Sequence, residues 1–195
     1  MSNQNIINKK QIVKEILNIS KEESIKDYHK LPKNCIELSK IKPLSPVGTK
    51  FINYYTSEQR LNTIGNKGIS FWHFYENKNE YIKKQYVKKM YDYCLKNQPT
   101  LTDTQICWRI FNLYFGSINI FKPTIAMNIY CKYKPKSILD FTMGWGGRLI
   151  AATALNVENY TGIDLNTELK TPYSNMVKIL IEPKYKLNIL QHIWV

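Results

Sequence analysis

The sequence predicts an α/β chain in which a mainly helical region, residues 1–118, precedes a small parallel sheet of about three strands within residues 119–195. Three observations carry that prediction. A short apolar run, SILD, ends in a carboxylate and is followed at once by Gly144, Gly146 and Gly147. A second run, NYTGID, also ends in a carboxylate, Asp164. Apolar residues recur at helical spacing after each run, so the order is strand, glycine turn, helix, strand, helix. The 195 residues suit one ordinary domain or one and a half.

Composition narrows the class. With 44% hydrophobic residues the chain can bury a core, and no apolar run approaches the roughly 18 residues of a membrane span. The polar start MSNQNIINKKQ has no secretory h-region, so the expectation is a soluble, intracellular protein. Cys35, Cys94, Cys107 and Cys131 are scattered and show no metal-ligand spacing; reduced, mostly buried thiols are expected, and no metal. Of 195 residues, 83 are Ile, Lys, Asn or Tyr, all with AT-rich codons, as in a viral or parasitic genome. Residues 1–137 hold 23 basic and 10 acidic side chains, whereas 138–195 hold five of each. The whole excess charge of +13 therefore lies in front, where it suits contact with a polyanion.

Along the chain, Ile6, Ile7, Val13, Ile16 and Leu17 predict a short amphipathic helix within residues 5–19. Residues 31–50, with Pro32, Pro43, Pro46 and Gly48, read as an extended connection. Thr56 or Ser57 is expected to cap a short helix, and Gly65 and Gly68 to mark turns before the aromatic group Phe71, Trp72, Phe74 and Tyr75, which forms a small core. Residues 79–97 predict one helix with Ile82, Tyr86, Met90 and Tyr93 on one face and Lys83, Lys84, Lys88 and Lys89 elsewhere. Thr102 and Gln105 have capping-box spacing and open another helix through Tyr114. Pro123 suits the first turn of a helix that runs to about Lys132.

The chemistry is concentrated after that helix. Glycines following a strand let the backbone approach a ligand, and the next helix presents free N–H groups. Asp164, 20 residues after Gly144, is placed to accept from ribose hydroxyls. A dinucleotide fingerprint would need a small residue where Leu149 stands. A carboxylate at Asp140 repels a pyrophosphate but pairs with a cation. S-adenosylmethionine carries a sulfonium and an ammonium and no phosphate, so charge favours the methyl donor over a nicotinamide cofactor. No Ser/His/Asp arrangement is legible around His29, His73 or His192.

SILDFTMGWGGR followed by YTGID resembles motif I and the acidic second-strand position of Rossmann-type S-adenosylmethionine-dependent methyltransferases. FKPTIAMNIY ahead of it resembles the helix before motif I in phage and large-virus DNA amino-methyltransferases. The resemblance covers residues 119–182, about a third of the chain. It implies a Rossmann-like methyltransferase sheet, with S-adenosyl-L-methionine as cofactor. Asp140 and the backbone of Gly144 and Gly146 would then face the methionine part, and Asp164 the ribose. Leu165 would lie against adenine, Phe141 and Trp145 beside the ligand, and Lys122 and Pro123 would line the site. Arg148, in the first helical turn, fits a structural ion pair.

The family's D/N/S-P-P-aromatic tetrad, which orients the target amino group, is absent; Thr171-Pro172-Tyr173 falls inside an expected helix. Only 58 residues run from Ile138 to Val195, too few for a full seven-stranded sheet, and the apolar finish LNILQHIWV would leave an edge uncovered. The sheet is therefore expected to be truncated, and the catalytic residues are unknown. The resemblance thus implies the cofactor-binding half of a methyltransferase acting on DNA, inactive alone, with a second polypeptide carrying the catalytic half. It would work in the cytoplasm of a virus-infected cell, with the basic front region on nucleic acid and no membrane. The alternative is a non-catalytic nucleic-acid-binding protein with a remnant Rossmann fragment.

Overall fold

A computed structural model describes residues 8–180 and the backbone of 186–189. In chain order the first helices are α1 (Lys9–Leu17), α2 (Lys21–His29), α3 (Cys35–Leu38), α4 (Thr49–Arg60), α5 (Phe71–Glu76), α6 (Lys78–Ile82), α7 (Gln85–Asn97) and α8 (Asp103–Tyr114). Then follow α9 (Pro123–Tyr133), β1 (Ser137–Asp140), α10 (Gly147–Ala154), β2 (Asn159–Gly162), a 3-10 turn (Thr167–Leu169), α11 (Lys170–Leu180) and β3 (Lys186–Ile189).

The expected α/β class, a Rossmann-like methyltransferase sheet behind a helical front, is corrected: the protein is mainly helical, with about 60% of the described residues in helices. Each strand has only four residues. β1 pairs with β2 in parallel, Asp140 opposite Gly162, and β2 pairs with β3. Among the described residues eleven helices carry most of the structure and the three short strands little, so helices set the class.

The chain divides into two compact units, one made of Met1–Asn18 with Ser57–Asn119, the other of Ile19–Thr56 with Ile120–Val195. Residues 19–56 group with the C-terminal part in the second unit.

In the first unit, Ile12, Leu61, Phe71, Phe74, Val87, Ile106, Ile110 and Phe111 are buried in one cluster. The aromatic group does form a small core, Phe71 meeting Trp108 edge-on at 4.9 Å between centroids. The capping box of α8 is present, with Thr102 accepting from the Gln105 amide and Gln105 reaching back. One expectation fails here. The helix expected over 79–97 is broken between α6 and α7, where Lys84 is extended and its ammonium lies 4.9 Å from the Tyr81 ring. That break resets the helical phase. Val87 and Cys94 face the core, and Tyr86 and Tyr93 are 44% and 53% exposed. Ile6 and Ile7 of the expected first helix lie outside the described residues.

In the second unit, Phe51, Ile52, Met127, Leu149, Ile150, Tyr160, Tyr173 and Met176 share one buried cluster. Thr56 and Ser57 do not cap a helix; both are buried inside α4, whose apolar face begins at Phe51, and the Thr56 hydroxyl bonds back to the Ile52 carbonyl at 2.8 Å. The connection over residues 31–50 contains α3 and is pinned to α9. The Thr124 hydroxyl donates to the Pro43 carbonyl at 2.8 Å, and the Lys122 ammonium to the Leu44 carbonyl at 2.8 Å. Cys35 and Cys131 are joined in a disulfide, against the expectation of reduced thiols; Cys94 and Cys107 are free and buried as expected. Spacing in sequence gave no sign of a bond across 96 residues. The apolar finish beyond Ile189 and His192 lie outside the described residues.

Candidate functional site

Parallel pairing brings the carboxyl ends of β1 and β2 to the same edge, and the chain leaves each strand through a turn. After β1, residues 141–146 form a bend in which Gly144 and Gly146 take positive φ angles of 59° and 89°, left-handed conformations that favour glycine. α10 starts at Gly147, where a Cβ would come within 2.0 Å of the Phe121 carbonyl oxygen. That glycine therefore serves close backbone packing. Gly144 differs, since the nearest atom to a Cβ there would be the Thr142 carbonyl oxygen at 3.7 Å.

The two carboxylates have different duties. One Asp164 oxygen accepts from the Gly144 amide at 2.6 Å and the other from the Asn166 amide at 2.8 Å. The tip of β2 thus grips the bend that follows β1. The Tyr173 hydroxyl, from α11, donates to the Gly144 carbonyl, so both backbone polar groups of that residue are engaged. The Met143 amide donates to the Ile163 carbonyl at 3.0 Å and the Ile163 amide to the Asp140 carbonyl at 2.8 Å, which prolongs the strand contact into the bend.

Asp140 is 7% exposed and faces inward. Its carboxylate is ion-paired to the Arg148 Nε at 2.7 Å and accepts from the Tyr160 hydroxyl. Arg148 also donates to the Thr142 carbonyl and lies 5.1 Å from the Phe121 ring. Burial alone would lower the Arg148 pKa, but the hydrogen bond and charge of Asp140 outweigh it and hold the guanidinium above its usual value. Burial, reinforced by the Asp140 charge, pushes the Tyr160 hydroxyl far up, and burial with Asp164 beside it does the same to Tyr173. Both phenols stay protonated donors.

Asp140 is thus turned onto Arg148 and Tyr160, and each Asp164 oxygen accepts a backbone amide. The ion pair foreseen for Arg148 is present, and its partner is Asp140 itself. A buried carboxylate neutralised by a guanidinium has no charge to offer a cationic ligand. Phe141 and Leu165, the first residues past Asp140 and Asp164, are each 72% exposed. Trp145 is half-buried and packs on the core. Pro123 is buried against Gly48, and Lys122 is spent on the Leu44 carbonyl, so neither presents a free group to the bend. Tyr160 and Tyr173 were not foreseen. The alternation of β2 could have placed Tyr160 on the same face as Asp140, but nothing local marks Tyr173.

Among the described residues no group of three or more His, Cys, Asp or Glu side chains is placed to hold a metal, and no helix is long and apolar enough to cross a membrane. No family model matches the chain, and no curated protein or solved structure is significantly similar to it.

Proposed function

We propose that the chain is the cofactor-binding part of an S-adenosylmethionine-dependent methyltransferase acting on an amino group of DNA. The single observation that carries this reading is Asp164 at the tip of β2, with its carboxylate on the open-faced Gly144 bend. Each of its oxygens accepts one backbone N–H, and a carboxylate has about four acceptor positions, so capacity remains for two ribose hydroxyls. The exposed Phe141 and Leu165 offer apolar surface to a purine beside it.

The donor set fits the nucleoside end of the cofactor and not its methionine end. Asp140 is a positioning residue: through Arg148 it fixes the carbonyl of Thr142 and hence the course of the bend. When bound, the cofactor supplies a methyl group on a sulfonium. The chain's own work is to hold the ribose, shape the bend and shield the site. Because methyl transfer is an in-line displacement, catalysis is mainly positioning. No D/N/S-P-P-aromatic tetrad stands in this sequence, so a second polypeptide would orient the acceptor amine.

Nucleic acid would be met by the basic N-terminal region, residues 1–118. On α7, Lys88, Lys89 and Lys96 are exposed next to the exposed rings of Tyr86 and Tyr93, a mixture that suits phosphates and bases together. The internal use of Asp140 favours a second reading, a nucleic-acid-binding protein without catalysis.

Calorimetry with S-adenosylmethionine and its demethylated product tests the choice. Binding that is lost in Asp164→Ala, with the helical circular dichroism unchanged, supports the first reading. No heat with either ligand, alongside intact DNA binding, leaves only the second.

A further inference from the structure

The Cys35–Cys131 disulfide lies in the wall of a cavity of about 360 Å³ bounded by the start of α3, the end of α9 and the turn between α10 and β2. Lys33, Lys134, Lys136 and Glu158 share that wall. Three cations against one anion give the cavity a net positive lining. Cys35 is exposed and Cys131 half-buried, so the Cys35 end of the bond is the more accessible. The Lys33 ammonium lies 4.8 Å from the Tyr28 ring, and burial lowers its pKa. Lys134 and Lys136 are exposed, and among the described residues their ammonium groups have no ion pair.

We propose that this cavity is a thiol-exchange site, at which an anionic low-molecular-weight thiol of the glutathione class modifies Cys35 reversibly. The incoming thiolate attacks the Cys35 sulfur and forms a new S–S bond. The Cys35–Cys131 bond breaks, its electron pair stays on the Cys131 sulfur, and that sulfur takes up a proton from solvent. No external oxidant is consumed; one disulfide replaces another. Two features direct the reaction. Access selects the exposed sulfur as the one attacked, and the lysines raise the local concentration of a carboxylate-bearing thiol while stabilising the departing Cys131 thiolate. The product frees α3 from α9 and leaves Cys131 beside the mixed disulfide, where it can attack back and restore the bond. The inference is independent of the methyltransferase reading, because none of its groups belongs to the β1–α10 bend.

Peptide mapping without reductant, before and after incubation of the folded chain with glutathione, is the test. The expected result is a Cys35–Cys131 bond at the start and, once iodoacetamide has trapped the released Cys131 thiol, a single glutathione adduct on Cys35, with no glutathione on Cys94 or Cys107. Compared at equal thiolate concentration and low salt, glutathione should react about tenfold faster than neutral 2-mercaptoethanol. That advantage should vanish in Lys134→Asn/Lys136→Gln, where Asn tolerates the left-handed conformation of residue 134. Equal rates for the two thiols overturn the proposal. So do an adduct on Cys131, reaction only on unfolding, or free thiols at Cys35 and Cys131 in the purified protein.

Discussion

Asp164 and Gly144, 20 residues apart, are joined by a 2.6 Å hydrogen bond from the glycine amide to the aspartate carboxylate. The tip of one strand thereby sets the path of the chain leaving its neighbour. A side chain that appears in the sequence only as a ligand group is also a structural clamp. Asp164→Asn keeps an acceptor oxygen for one of the two amides, whereas Asp164→Ala keeps none. Hydrogen bonds to a charged acceptor contribute about 1.5–3 kcal/mol each. Urea unfolding should accordingly show Asp164→Ala less stable than Asp164→Asn, and both below the parent chain. Equal stability of all three would mean that the clamp has no weight.

The Asp140–Arg148 pair predicts an asymmetry. Replacing Asp140 by Ala strands a partly buried guanidinium, which costs about 3 kcal/mol or more, discounted for the exposed part of Arg148. Tyr160→Phe removes a single donor to a carboxylate and should cost about 1–2 kcal/mol. A double-mutant cycle on Asp140 and Tyr160 should show coupling, since the Tyr160 hydroxyl and the Arg148 Nε both donate to one Asp140 oxygen. Additive losses would remove the network.

Stability should also fall at alkaline pH. Burial raises the phenol pKa of Tyr130, Tyr160 and Tyr173 in the folded chain, each with a nearby carboxylate adding to it. An unfolded tyrosine ionises near about 10, so the unfolded state binds fewer protons than the native one above that pH. The stabilisation from each is whole below about 10 and is lost as pH climbs toward the raised native value, by up to about 1.4 kcal/mol per pH unit per tyrosine. Chemical denaturation between about pH 8 and pH 11 should give a falling curve whose slope is shallower in Tyr160→Phe. An unchanged slope would mean that Tyr160 ionises freely in the native state.

The disulfide should matter to the second unit. Its closure of a 96-residue separation corresponds to about 4–5 kcal/mol in the chain-entropy model. Cys35→Ser/Cys131→Ser should lower the unfolding midpoint by that order, and a reductant should leave the double variant unaffected while destabilising the parent.

What was legible in the sequence depended on local signals. Thr102 and Gln105 define a capping box within one turn, and Pro123 opens α9; both signals act over a few residues and survive folding unchanged. Ser137 to Asp140 and Asn159 to Gly162 were found for the same reason. Apart from the break at Lys84, the failures required knowledge of distant partners. Tyr86 and Tyr93 repeat at helical spacing, but Lys84 breaks the helix over the Tyr81 ring and Val87 takes the inner face. Residues 19–56 carry nothing that ties them to α9 until Thr124 meets Pro43 and Cys35 meets Cys131. Asp140 was found as a carboxylate at a strand tip, yet its direction was set by Tyr160 and Arg148.

The glycines of the bend yield the sharpest contrast. A Cβ on Gly147 would sit 2.0 Å from the Phe121 carbonyl oxygen, a backbone atom that moves only if α10 moves away from the chain before α9. A Cβ on Gly162 would meet the Met143 sulfur at 2.4 Å and the Tyr160 ring at 3.1 Å, side-chain atoms that can shift without moving backbone. Overpacking costs about 1–3 kcal/mol when neighbours adjust and more when backbone must shift. Gly147→Ala should therefore lie at the upper end of that range or beyond, and Gly162→Ala near the lower end. Gly144→Ala meets no close atom, yet its φ of 59° imposes a conformational penalty of about 1 kcal/mol. Denaturant midpoints for the three variants should fall in the order Gly147→Ala lowest, then Gly162→Ala and Gly144→Ala close together. If Gly147→Ala proved as stable as Gly144→Ala, the close approach of α10 to Phe121 would not exist, and with it would go the placement of the bend at the tip of β1.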